Sequence, residues 1–283
     1  LLGNDDGIEA PGLWHLARRL AEGHETVVVA PSINQSGSSH STTAASKALR
    51  VRRRVLHGQS VIEAHGTPAD AVRWALGTLP GSFDVMVSGI NAGENSGLSQ
   101  YYSGTVAAAR EAALRGIPAV SVSVWRDRAE YYEAAADFMA TWLPRWFAAE
   151  GTRPVSRPIL LNVNFPDCPP GEIRGVRLAV PSMAFHEDRY DPLTGDPGDD
   201  REYRVVFGEK RARLIAEGTD DWALREGYVT VTPLALDAIC AEGMAWLTNV
   251  HGPVGPVERV GPVERVGPVG KVGTVERSGQ NGG

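Results

Sequence analysis

Cysteine is scarce in this chain: only Cys168 and Cys240 occur, far apart and at no zinc-ligand spacing. They read as reduced structural thiols. Long hydrophobic runs are missing. None approaches the roughly 18–20 apolar residues that cross a bilayer, and no signal peptide stands at the start. A cytoplasmic protein with no membrane partner is expected. Basic excess is lacking too. A formal net charge of −6 at pH 7 argues against a partner such as a nucleic-acid duplex, which calls for a basic patch. The phosphate fingerprint G-x-G-x-x-G is absent after the first strand, where "GNDDGIEAPG" stands instead. Paired acids there repel a pyrophosphate, so a nicotinamide dehydrogenase is set aside.

What is present, over 283 residues, is an alternation of strand and helix. "LLG", "ETVVVAP", "FDVMVSG", "IPAVSVSVW" and "PILLNVNFP" are short apolar runs of the kind buried in a parallel sheet. Between them, "APGLWHLARRLAEG" carries Leu13, Leu16, Ala17 and Leu20 at helical spacing. "TPADAVRWALGTL" opens with Thr67 as N-cap, Pro68 as first helical residue and Asp70 completing a capping box. "TVAAAREAALRG" and residues 129–149 are further helices, and "LRVRRRVL" with "SVIEAHG" reads as a hairpin turning at His57 and Gly58. The expected fold is α/β, a Rossmann-like doubly wound, mostly parallel sheet over about residues 1–170, with a smaller C-terminal β-hairpin lobe over about 171–248. Residues 249–283 repeat "GPVERV" and its variants. Pro or Gly every few positions prevents a core there, so a disordered tail is expected.

Chemistry gathers in three polar loops that leave successive strand ends: Asn4–Gly7, Ser32–Thr43 and Ser88–Gly104. In an open α/β sheet ligands bind outside those ends. The loops bring Asn4, Asp5, Asp6, Ser36, Ser38, Ser39, His40, Asn91, Asn95, Ser103 and Thr105 to one face, with two carboxylates, many neutral oxygens and almost no cation. Hard oxygen ligands of this kind suit Mg²⁺ or Mn²⁺ and not zinc or copper. "SGTVAAAREAALRG" adds a helix start, where unsatisfied N–H groups and the dipole favour a phosphate. Each motif alone has a plainer reading, as a turn, a linker or a helix cap. Their placement at successive strand ends is what favours a site.

The motifs "NDDGIEAPGL", "VVVAPSINQSGSSHS", "GTPADAV", "VSGINAGEN", "YYSGTVAAAREAALRGIPAVSVS", "LNVNFP" and "GTDDWALREGYVTVTPL" resemble, in this order, those of the SurE survival-protein family. The resemblance spans roughly residues 1–248. It implies a metal-dependent 5′/3′-nucleotidase, also described as an acid phosphatase, acting on nucleoside monophosphates. The family's metal ligands fall on Asp5, Asp6, Ser36 and Asn91, around one divalent cation. Its phosphate contacts fall on Asn95, Ser103, Gly104 and Thr105, with Asn4 and Gly37 lining the site. The family also implies a homodimer or homotetramer.

Catalytic roles fall to Asp5 and Asp6 as candidate bases and His40 as candidate acid. Attack by water and direct attack by an Asp carboxylate both stay open at this point. A catalytically weak nucleotide-binding module of the same fold is the alternative. Three features depart from the family: Gly3 replaces its usual Thr or Ser, the first strand has only Leu1 and Leu2 before it, and the repeat tail is foreign to it. The short strand and the missing Met lead to the expectation that further residues precede Leu1.

Overall fold

The computed structural model describes residues 1–150, 159–193 and 202–237, with Gly243, Ala245 and Asn249 beyond them. The repeat tail and Cys240 lie outside the described residues.

The strands and helices follow the expected alternation. They are β1 (Leu2–Gly3), α1 (Pro11–Ala21), β2 (Val28–Pro31), β3 (Arg50–Leu56), β4 (Gln59–His65), α2 (Pro68–Thr78), β5 (Met86–Ala92), α3 (Gly104–Leu114), β6 (Ala119–Val124), α4 (Ala129–Glu150) and β7 (Leu160–Asn164). After them come β8 (Val176–Leu178), β9 (Arg189–Pro192), β10 (Tyr203–Val206), α5 (Asp220–Arg225) and β11 (Val229–Leu234).

The main sheet runs β3-β4-β2-β1-β5-β6-β7-β11-β8. From β4 through β7 the neighbours are parallel. β1 lies in the middle, and the chain winds outward from it in both directions, through β2 on one side and β5 on the other. The carboxyl ends of β1, β2 and β5 therefore open on one edge, at the point where the winding reverses.

Periodicity explains the two layers. Along β2, Val28 and Ala30 enter the core under α1 and α4, while Val29 enters the core under α2 and α3. On α1, Leu13, Trp14, Leu16, Ala17 and Leu20 are buried, as helical spacing requires. The indole N–H of Trp14 donates to the Ile8 carbonyl at 2.9 Å. α3 presents Ala107, Ala108, Ala109, Ala112 and Ala113 inward, small side chains that let its backbone lie close to the sheet. The capping box of α2 forms as the sequence indicates, with the Thr67 side chain accepting from Asp70 N–H and Asp70 reaching back to Thr67 N–H. The β3–β4 hairpin turns at His57 and Gly58, both at positive φ.

The C-terminal part divides between the main sheet and the small antiparallel hairpin that the sequence leads one to expect. β11 pairs antiparallel with β7 and carries β8 as the outermost strand, so both extend the main sheet. Among the described residues, β9 and β10 alone pair apart from it, as an antiparallel two-stranded sheet. Buried Val229 and Val231 explain this: one face of β11 adds to the core under α1 and α4. No helix among the described residues is long and apolar enough to cross a membrane.

Candidate active site at the carboxyl ends of the strands

Immediately after β1 the chain makes a tight turn. Asn4 closes it, donating to the Gly7 carbonyl at 2.9 Å and accepting from Gly7 N–H at 3.3 Å. Gly7, at φ +107°, takes a conformation that a side chain disfavours. Asn4 thus shapes the turn that presents the next two residues.

Asp5 is 3% exposed and faces the amino end of α3. Thr105 Oγ1 donates to Asp5 Oδ1, and the N–H groups of Thr105 and Gly104 add to the stabilisation of the carboxylate. Burial outweighs these donors and pushes the Asp5 carboxyl above the ordinary range. Asp6 accepts from Asn34 Nδ2 at 3.3 Å and from Ala92 N–H at 3.5 Å. Burial, and then the Asp5 charge beside it, push its pKa up to about 6. Neither carboxylate has an ion pair with Lys, Arg or His among the described residues. Two acids crowded together in a low-dielectric corner without a counter-ion form a site that a cation would satisfy.

The other loops converge on this pair. Asn34, which holds Asp6, also accepts Ser36 N–H at 2.8 Å, and Gln35 N–H donates to the Asp5 carbonyl at 2.7 Å. Ser36 and Gly37 are exposed beside them. Asn91 lies one residue before Ala92, and its Nδ2 donates to the Gly93 carbonyl at 2.7 Å. That hydrogen bond orients the amide and leaves Oδ1 to take another partner. Ser38 Oγ is enclosed without a hydrogen-bond partner among the described residues.

The residues read from the sequence as phosphate contacts have structural duties. Ser103 Oγ accepts from Val106 N–H at 3.1 Å and caps α3. Thr105 serves Asp5. At Gly104 a Cβ would lie 2.7 Å from Asp5 Cβ, so glycine there is what permits α3 to abut the acid. Asn95 is held from the sheet: its Nδ2 donates to Ser123 Oγ and its N–H to Asn164 Oδ1, both at 2.8 Å. His40 is paired through Nε2 with Glu111 Oε2 of α3 at 2.9 Å. Its neighbour Ser39 donates to the carbonyls of Tyr101 and Tyr102, which draws the Ser-rich loop against the loop before α3.

Comparison with known proteins gives the family of the chain. The profile of the family described as survival protein SurE matches residues 1–188. The chain belongs to the SurE family. A 5′-nucleotidase SurE of Solidesulfovibrio magneticus is 40% identical over 253 residues, 87% of this chain and 95% of the relative. A 5′-nucleotidase SurE of Sorangium cellulosum is 40% identical over 270 residues, 91% and 98% of the two chains. The crystal structure of a SurE protein from Aquifex aeolicus superposes with a TM-score of 0.73 at 31% identity, covering 88% of this chain and 98% of that one.

Within this candidate site, reasoning from sequence missed Asn34 and Glu111. Asn34 stood in a quoted motif, but a neutral amide near two acids carries no signal until the fold shows which acid it touches. Glu111 reads from the sequence only as the i,i+4 partner of Arg115, which donates to its Oε1 at 2.7 Å, and only the tertiary structure brings His40 to its other oxygen.

Proposed function

We propose that this SurE chain is a divalent-metal-dependent phosphomonoesterase that hydrolyses nucleoside 5′- and 3′-monophosphates. The observation that supports it is the Asp5–Asp6 pair, buried Asp5 beside half-buried Asp6 at the switch point, with no cationic partner among the described residues. Its membership in a family with relatives named 5′-nucleotidase gives the substrate class.

The donor set fits a hard divalent cation. Asp5, Asp6, the Ser36 hydroxyl and Asn91 Oδ1 would hold Mg²⁺ or Mn²⁺, all through oxygen. When bound, the ion supplies neutralisation of phosphate charge and polarisation of the P–O bonds. The protein supplies the rest. The amino end of α3 directs its dipole at the anionic centre and meets phosphate charge as it meets Asp5. Asn95, fixed by Ser123 and Asn164, lines the same face. Asp6, the more accessible acid, takes the proton of the attacking water. His40 keeps Nε2 on Glu111, which leaves Nδ1 to hold the proton that the departing alkoxide needs.

Phosphate release from a panel of nucleoside monophosphates tests this reading. EDTA is expected to abolish release, and added Mn²⁺ or Mg²⁺ to restore it by at least about 10³-fold. Full activity in EDTA would remove the metal from the proposal. Nucleotide binding without any release would favour the binding module.

A second copy of the chain is the proposed partner. Among the described residues β8 is the outermost strand at its end of the main sheet, and Leu178 on it is 82% exposed, as are Phe207 (75%) and Tyr190 (61%) at the β9–β10 hairpin. Light scattering is expected to give a multiple of 30.3 kDa. A monomer at micromolar concentration and above would contradict it.

A further inference from the structure

Two motifs quoted from the sequence, "LNVNFP" and "GTDDWALREG", take no direct part in the chemistry above, yet the structure brings both against one stretch of chain. That stretch is Glu94–Gly97, which continues from the candidate ligand Asn91 toward α3. From below, Asn164 Oδ1 accepts Asn95 N–H and Asn162 Nδ2 donates to the Asn95 carbonyl, each at 2.8 Å. From the side, Asp220 Oδ2 accepts Gly97 N–H at 2.9 Å, and Ala184 O accepts Leu98 N–H at 3.2 Å.

The centre of this arrangement is Lys210, whose side chain is only 5% exposed. Lysine is seldom buried without partners, and here Nζ has four. It lies 2.9 Å from Ser96 O, 2.9 Å from Ser96 Oγ, 2.8 Å from Asp221 Oδ1 and 2.9 Å from Glu94 Oε1. Ser96 Oγ donates a hydrogen bond to Asp221 Oδ1 at 2.7 Å, and Ser182 Oγ donates to the other oxygen of Asp221. No slack remains at the contact. Gly97 has φ +56°, and a Cβ on it would lie 2.5 Å from Asp221 Oδ2 and 2.7 Å from Ser182 Oγ.

We propose that Lys210, with Asp221 and Ser96, is a positioning residue of the active site: it clamps Glu94–Gly97 so that Asn91 and Asn95 stay in register with the Asp5–Asp6 pair. The proposal rests on the nucleotidase reading for its catalytic consequence, and on the geometry alone for the clamp. The balance of charge favours Lys210 as the keystone. Glu94 and Asp221 both point at this ammonium, so its removal leaves the buried Asp221 carboxylate without its cation and half-buried Glu94 with His186 at 3.8 Å. The loop lies more than 100 residues from Lys210 in sequence; the clamp therefore makes the geometry of a site at the strand ends depend on the region that also carries β9 and β10.

The test is Lys210→Met in the full chain, with Ser96→Ala as a milder variant that keeps the Lys210–Asp221 pair. Two measurements are needed: kcat and KM for AMP with saturating Mn²⁺, and amide hydrogen exchange resolved to the peptide covering residues 91–103. For Lys210→Met we expect kcat to fall by roughly 10–100-fold, the cost of misplacing reacting groups, with KM changed by less than about 3-fold. Exchange in 91–103 is expected to quicken by about 10-fold or more while β6 and β7 keep their protection. Ser96→Ala should show both effects at smaller size, and it decides the matter if Lys210→Met does not fold. Unchanged exchange in the loop overturns the clamp. A loosened loop with wild-type kcat overturns the positioning role. A wild-type protein that releases no phosphate removes the nucleotidase reading, and loop exchange then decides the clamp by itself.

Discussion

Asp6→Asn is expected to lower phosphate release by about 10²–10³-fold and, at the same time, to make the metal-free protein more stable. The two effects share one cause. Asp6 is held near Asp5 in a buried corner, and its pKa stands at about 6 against an ordinary 3.8. A raised carboxyl pKa means that the fold prefers the protonated form. Its stabilising contribution is complete below the unfolded value of 3.8 and is lost as pH rises to about 6. Above that pH the charged pair is a liability to the empty site, which the neutral amide of Asn removes. The gain is about 1–2 kcal/mol once the partial solvent access of Asp6 is allowed for.

The check is thermal unfolding of both proteins in EDTA from pH 4 to 8. The variant should melt higher above pH 6, and the gap should close toward pH 4. Added Mn²⁺ should reverse the order, because a ligand bound only by the native wild type stabilises it by mass action. A variant that melts lower at every pH, with or without metal, would show that Asp6 is a structural acid and sink the assignment.

Gly104→Ala is the second large effect, and it separates helix propensity from site geometry. Alanine favours a helix over glycine by up to about 1 kcal/mol, so on propensity alone the change in α3 would stabilise. The added Cβ would stand 2.7 Å from Asp5 Cβ, 2.9 Å from Asp5 Oδ2 and 3.0 Å from Pro68 Cγ. The first two belong to a short, buried side chain fixed by Thr105, and the third to a rigid ring at the start of α2. Neither neighbour has room to retreat. The amino end of α3 and Asp5 must separate, and with them the dipole and the acid it serves.

We expect a loss of about 1–3 kcal/mol of stability from overpacking and a fall of about 10²-fold in kcat from misplacement. Gly77→Ala in α2, where an added Cβ meets nothing within 4 Å, is the control and should be neutral or stabilising. Wild-type activity in Gly104→Ala would mean that the close approach of α3 to Asp5 is unnecessary for catalysis.

Local features were legible wherever a short segment carries its own physics. The capping box of α2 is written in Thr67, Pro68 and Asp70, because capping needs only residues a turn apart. The turn at His57 and Gly58, the apolar strands and the face of α1 are of the same kind. The site was legible at the level of which loops meet, because parallel strands must open on a common edge. Its hydrogen bonds were not. Thr105 and Gly104 read as phosphate ligands, and the structure uses them first to hold Asp5. Asn95 read as a phosphate ligand, and its amide is bound to Ser123. An unsatisfied donor seen in sequence has many acceptors in principle, and only packing selects one.

The sequence by itself determined the alternation of strand and helix, the family, and the two acids at the end of the first strand, since periodicity, caps and motifs are properties of neighbours along the chain. Only the tertiary structure decided that β8 and β11 extend the main sheet, that His40 meets Glu111, and that Lys210 reaches Glu94, Ser96 and Asp221. These depend on which buried surfaces and buried charges find each other across long stretches of chain. The cost of leaving a charge or a donor unpaired in the interior is what fixes the choice.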